Sequence, residues 1–119
     1  LKCDSQEGFL VPFKDGLAQF SGLYIHKSGS LHKLVFTTTV PLSGPRECTS
    51  VPFFVGIGEA AALLVVDDPS KGTAFGGKVF SNQPKILVID AGGNTLVHDS
   101  DSVVMVEMCN NPSGGTLGP

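Results

Sequence analysis

The chain has 119 residues, room for one domain with one hydrophobic core of ordinary size. Charged residues are 16% of it, against about 25% in a usual soluble domain, which fits a surface that faces neighbours or is kept soluble by Ser, Thr and Gly. A formal charge of -3, with eight scattered Lys and Arg, argues against nucleic acid as a partner, because phosphate binding needs a basic stripe.

In chain order, residues 9–13 are a short apolar piece interrupted by Pro12, which predicts an edge strand at best. Lys14-Asp15-Gly16 predicts a hairpin-type turn. Leu17, Phe20, Leu23 and Ile25 are then the inward side chains of a strand that Gly22 bends or bulges. His26-Lys27-Ser28-Gly29-Ser30 makes the next reversal. Residues 31–40 follow as a strand, with Leu34 and Phe36 alternating against Lys33 and Thr37. Residues 41–47, with Pro41, Gly44 and Pro45, read as the clearest loop, and residues 51–55 as a strand with Cys48 at its mouth.

Gly56-Ile57-Gly58 has the composition of a junction. Residues 60–66 are ambiguous, since Ala and Leu favour helix, but the short run and the stop at Asp67-Asp68-Pro69 favour a strand. This longest apolar run is far shorter than the roughly 20 residues of a spanning helix, so no membrane insertion is expected here. Residues 72–77 are loop-like around Phe75, and residues 78–80 a short strand. Residues 86–90 alternate as a strand buried on at least one face, and Asp90-Ala91-Gly92-Gly93-Asn94 supplies the positive-φ positions and Asx hydrogen bonds of a tight reversal. Residues 103–108 are the last strand, with Val104, Val106 and Met108 on one face; residues 110–119 have no apolar face to bury. Turn signals about every 8 to 12 residues set the rhythm of an all-β sandwich.

Little in this pattern carries chemistry. Ser28 and Ser30 lie between His26 and His32, an arrangement that reads as a polar turn rather than a catalytic triad. Asp90, Asp99 and Asp101, with Asn94 and Ser100, are the only cluster of oxygen-ligand character, hence the calcium candidates. Their spacing matches no EF-hand, and Asp-rich turns are common for their Asx bonds alone. Asp67-Asp68 reads as a solvated strand end. Gly92-Gly93 and Gly114-Gly115 precede no helix and form no phosphate loop. No cofactor and no enzymatic activity are expected. Cys3, Cys48 and Cys109 are an odd count without zinc spacing, which suggests one disulfide plus a thiol or an outside partner, and with it an oxidising compartment. No Asn-x-Ser/Thr sequon occurs. With neither an initiating Met nor a signal peptide, the chain reads as an excerpt of something longer.

Two stretches carry a family resemblance. Residues 78–84, Lys-Val-Phe-Ser-Asn-Gln-Pro, followed by residues 86–95, Ile-Leu-Val-Ile-Asp-Ala-Gly-Gly-Asn-Thr, resemble the opening half of an immunoglobulin-like repeat. Such repeats occur in tandem in invasin-type bacterial adhesins and in very large eukaryotic extracellular proteins, mastigoneme-like arrays among them. Residues 15–25, with Lys27, Gly29 and residues 34–37, resemble the closing half of the same repeat. In that family the opening half comes first; here it comes second. The resemblance therefore implies that residues 1–56 are the C-terminal half of one repeat and residues 57–119 the N-terminal half of the next, cut out of phase, or else that 1–119 is one permuted sandwich. Gly118-Pro119 would continue, in the parent protein, into something like residues 1–15. The family usually has Tyr where this chain has His32, so a tyrosine-corner tie is in doubt there.

What the resemblance implies about function is a non-enzymatic structural or adhesive module of an extracellular or cell-surface array, a spacer and assembly unit of filaments. Its partners would be neighbouring repeats of the same chain or other copies of the protein. Cys109 would clip to a Cys3-like position in the following segment, with Cys48 paired elsewhere or reduced. The alternative is a ligand-binding sandwich whose loops, residues 42–47 and 72–77, contact protein or glycan. A chain with no Trp and one Tyr is poorly equipped for glycan.

Overall fold

The computed structural model describes residues 8–119. Among them every regular element but one is a strand: β1 (Gly29–His32), β2 (Val35–Thr37), β3 (Glu47–Thr49), β4 (Phe53–Val55), β5 (Ala62–Asp67) and β6 (Lys85–Ile89), with a single 3-10 turn at Pro69–Lys71. The all-β expectation holds. The strands pair as three two-stranded antiparallel sheets, β1 with β4, β2 with β3 and β5 with β6, and these do not close into a sandwich.

Two of the three sheets are lengths of one hairpin. Val35, Phe36 and Thr37 lie opposite Thr49, Cys48 and Glu47, and Gly29 lies opposite Val55 in the same register. Between them His32 faces Phe53, one residue out of step. The slip has a cause on each arm. On the returning arm Pro52 has no N–H to offer a ladder, and Ser50 carries the pairing instead: its N–H donates to the Leu34 carbonyl (2.9 Å) and its hydroxyl accepts from the Leu34 N–H (3.0 Å). On the outgoing arm Leu31 adopts φ 63°, which takes up the compensating extra residue and restores the register by Gly29. A left-handed Leu costs about 1–2 kcal/mol, and this one is 75% exposed. Leu31→Gly is therefore expected to raise unfolding stability by about 0.5–1 kcal/mol after the entropic penalty of glycine, read as a higher urea midpoint in circular dichroism.

Before the hairpin, the Lys14 and Leu17 backbones exchange hydrogen bonds of 2.8 and 2.9 Å around Asp15 (φ 52°) and Gly16 (φ 77°), the two left-handed positions of a type I′ turn. The turn read from the sequence is present, but residues 17–25 form no strand after it. Of the four side chains expected to point inward, Phe20 and Ile25 are half-buried, while Leu17 and Leu23 are exposed. Phe20 packs on Phe36 at 5.8 Å between ring centroids, as a tilted aromatic pair. His32, in the position in doubt for a corner tie, turns its ring onto the Gly29 carbonyl (3.2 Å) and against Phe53.

The second half is built on β5 and β6, with Ala62 opposite Ile89 and Val65 opposite Ile86. β6 also pairs on its other edge: Ile89 bridges to Thr95, and the Leu96 N–H donates to the Val88 carbonyl at 3.0 Å. At the far end Asp67 and Asp68 do more than solvate a strand end. The Asp68 side chain caps the 3-10 turn at Ser70, Asp67 pairs with Lys71 (3.4 Å), and Asn82 bridges the Asp67 carboxylate and the Asp68 carbonyl. Three sequence expectations differ from the structure here. Residues 78–80 and 103–108 join no ladder, and Glu47–Thr49, whose first residue falls within the expected loop, is a strand because its partner β2 supplies the pairing.

No apolar side chain among the described residues is fully buried. The body is 76 × 28 × 25 Å with a radius of gyration of 23.8 Å, against roughly 13–14 Å for a compact chain of this length. β6, expected to be buried on a face, is half-buried at Leu87, Val88 and Ile89 and exposed at Ile86.

Candidate functional site

The single buried residue among those described is charged: Asp90, 5% exposed. It directly follows β6 and opens the turn that its own sequence dictates. Gly93 takes φ 84°, and its N–H donates to the Asp90 carbonyl (3.1 Å), closing the turn. Asp90 Oδ1 accepts from the N–H groups of Gly92 (2.9 Å) and Asn94 (2.8 Å), the Asx pattern expected of Asp-Ala-Gly-Gly-Asn. Asp90 Oδ2 reaches across 32 residues to the N–H of Gly58 at 2.8 Å, and so ties the turn to the junction ahead of β5.

Asn94 carries the tie further. Its Nδ2 donates to both carboxylate oxygens of Asp90 (3.1 and 3.0 Å) and to the His26 carbonyl at 2.6 Å. Its Oδ1 accepts from the Ser28 N–H at 3.0 Å. Asn94 thus grips residues 26 and 28, in the reversal before β1, from a point 66 to 68 residues later in the chain. Gly92 makes the grip possible: a Cβ there would lie 2.0 Å from the His26 carbonyl oxygen. We call this group, Asp90, Gly92 and Asn94 with His26, Ser28 and Gly58, the clasp.

Its electrostatics follow from the donors. The Gly58 N–H, then the Asn94 N–H, against the opposing effect of burial, and then the Asn94 amide and the Gly92 N–H hold the Asp90 carboxyl at a pKa of about 2, below its usual 3.8. Five donated hydrogen bonds fill both oxygens, so the carboxylate is an anchor for backbone rather than a free base. An open groove beside it is lined by Tyr24, His26, Gly58, Glu59 and Ala61. Tyr24 meets His26 edge-on at 4.9 Å.

The other calcium candidates are not drawn into this site. Asp99 accepts from the N–H groups of Asp101 (3.2 Å) and Ser102 (3.0 Å), a turn of its own that lowers its pKa. No three His, Cys, Asp or Glu side chains among the described residues gather as a metal site. Ser28 enters the clasp through its backbone and His32 faces the Gly29 carbonyl, so the His26, Ser28, Ser30 and His32 set is held in separate contacts. Cys48, on β3, and Cys109 are exposed thiols, and Cys3 lies outside the described residues. No helix among the described residues is long and apolar enough to cross a membrane.

Sequence reasoning found Asp90 and Asn94 as turn residues, and missed that the same turn joins the two halves. The signal was present in Gly92-Gly93: the turn needs positive φ only at Gly93, leaving Gly92 free for a close approach. Comparison of the chain with protein-family models, curated proteins and solved structures finds no match.

Proposed function

We propose that the chain is a non-enzymatic structural and adhesive module of an extracellular repeat array, in which the closing half of one immunoglobulin-like repeat and the opening half of the next are joined by the clasp. The observation that carries this reading is the pairing of an uncovered body with a well-made junction. Two-stranded sheets are marginal in isolation, and this chain holds three of them along 76 Å with no fully buried apolar side chain among the described residues. Its most completely hydrogen-bonded group is the one that connects one half to the other. A module whose role is to space and join its neighbours needs a firm link between halves and leaves its cores to be completed by what lies beside it. Low charge and turn-rich strands suit packing against such neighbours.

The test is location. Antibodies raised against this chain should decorate surface filaments or wall of intact, unpermeabilised source cells in immunogold electron microscopy. Label that appears only inside permeabilised cells would overturn the extracellular reading.

A further inference from the structure

An aspartate rewrites its own backbone when the nitrogen of the next residue attacks its side-chain carboxyl carbon. Six aspartates lie among the described residues, and at five of them the fold stands in the way. The Asp67 carboxylate accepts from Asn82 (2.9 Å) and pairs with Lys71 and Lys85. Asp68 holds Ser70 and is followed by Pro69, which has no N–H. Both oxygens of Asp90 are filled. Asp99 accepts from the N–H groups of Asp101 and Ser102. Asp101 has an unengaged carboxylate, but its attacker, the Ser102 nitrogen, is the one that donates to Asp99 at 3.0 Å. Asp15 differs from all of these. The pairing of its turn runs through Lys14 and Leu17, and neither the Asp15 carboxylate nor the Gly16 N–H makes a hydrogen bond among the described residues. Both residues are exposed, and a Cβ built on Gly16 would meet nothing within 4 Å, so nitrogen and water reach the carboxyl unhindered.

We propose that Asp15-Gly16 is a site of spontaneous aspartate isomerisation, a covalent self-modification that needs no cofactor or second protein. The Gly16 nitrogen bonds to Asp15 Cγ and gives its proton to solvent, while one carboxyl oxygen leaves as water, closing a five-membered succinimide. Water then opens the ring at either carbonyl. Breaking the new nitrogen–Cγ bond restores aspartate. Breaking the original peptide bond leaves isoaspartate, in which the chain runs through Cβ and Cγ and the former backbone carbonyl becomes a free carboxylate. One water is lost and one regained, nothing is oxidised or reduced, and the mass is unchanged. The product matters because of where it forms. A two-residue type I′ loop closes only with two left-handed residues of ordinary backbone length, here Asp15 at φ 52° and Gly16 at φ 77°. A further carbon in that loop parts the Lys14 and Leu17 backbones, whose mutual bonds of 2.8 and 2.9 Å are the only pairing this turn makes. The turn therefore loosens as the molecule ages.

Prolonged incubation of the whole chain in neutral buffer, followed by peptide mapping, tests this. The isomerised peptide elutes as a second peak of unchanged mass, and electron-transfer fragmentation places the extra backbone carbon. Deamidation of an asparagine such as Asn110 raises the mass and is told apart. Isoaspartate at Asp15 should form at a rate within about threefold of that in urea-unfolded chain, since no hydrogen bond has to open first. At Asp101 the folded chain should fall roughly tenfold or more behind its own unfolded rate, because the Ser102 N–H must first leave Asp99. Asp15→Glu should lose the signal while keeping the charge, because its ring would have six members and closes far less readily. In the isomerised fraction, amide exchange at Leu17 should rise as its bond to the Lys14 carbonyl is lost. Asp15 that stays aspartate in the folded chain while the unfolded chain isomerises overturns the proposal. So does isoaspartate that appears at Asp99 or Asp101 ahead of Asp15, and unchanged Leu17 exchange overturns the loosening of the turn.

Discussion

Gly92→Ala is expected to release the two halves from each other while leaving each half's strands paired. The added methyl would stand 2.0 Å from the His26 carbonyl oxygen, where real side-chain carbons do not approach, and both partners are backbone, so neither can swing aside. The cheapest relief is for residues 26–28 to leave, which breaks the Asn94 bonds to the His26 carbonyl and the Ser28 N–H. Amide exchange at Ser28 should accelerate roughly 10- to 100-fold, the worth of a hydrogen bond lost from a partly buried site. Exchange within β5 and β6 should change less than about threefold. Exchange measured by NMR checks both. Gly93→Ala is a useful contrast, because it strains a positive φ with only the end of Lys27 nearby, and should cost turn stability without evicting His26.

Asp90→Asn is expected to open the Gly58 link and to abolish the acid sensitivity of the clasp. An Asn side chain can still accept at one oxygen from Gly92 and Asn94, but its amide group would present N–H to the N–H of Gly58 and to Asn94 Nδ2. Gly58 exchange should rise roughly 10- to 100-fold, since the bond lost is to a charged acceptor. In the wild type the carboxyl pKa is depressed to about 2 from the usual 3.8. Its stabilisation is therefore complete above the ordinary carboxylate pKa and is lost as pH falls from about 4 through about 2. The Gly58 and Asn94 amide chemical shifts should follow that titration, and in Asp90→Asn they should be flat across it. An unchanged Gly58 exchange rate in the variant would mean that the long-range bond contributes nothing.

The local grammar of the chain predicted what is locally determined. Asp15-Gly16 and Asp90 to Asn94 specify turns through side chains that bond their own backbone or tolerate positive φ, and both turns form. β6 was readable from its alternation and the turn that stops it. The positions that went astray depend on something distant. Residues 17–25 have the pattern of a strand but pair with no other strand among the described residues, and pairing with a distant segment is not written in their own sequence. β3, Glu47–Thr49, has no strand-like composition, yet β2 opposite it makes it a strand. The paired bulges at Leu31 and Pro52 depend on each other: Pro52 alone predicts a break, and only the returning register shows that Leu31 compensates. The clasp is the extreme case, because nothing near Asn94 names His26 or Ser28 as its partners.

That separation along the chain has a consequence for synthesis. The two strands of the first hairpin lie close enough in sequence to pair as soon as residue 55 is made, whereas the Ser28 and His26 groups must wait for Asn94, 66 and 68 residues later. At ordinary translation speeds that interval is roughly 3 to 13 s, long compared with the microseconds in which a hairpin forms. During it the reversal at residues 26–28 has no partner, and in its later part, once residue 55 is made, the exposed Phe54 is already presented. On a polysome, where copies emerge side by side, this waiting period is when neighbouring nascent chains can meet.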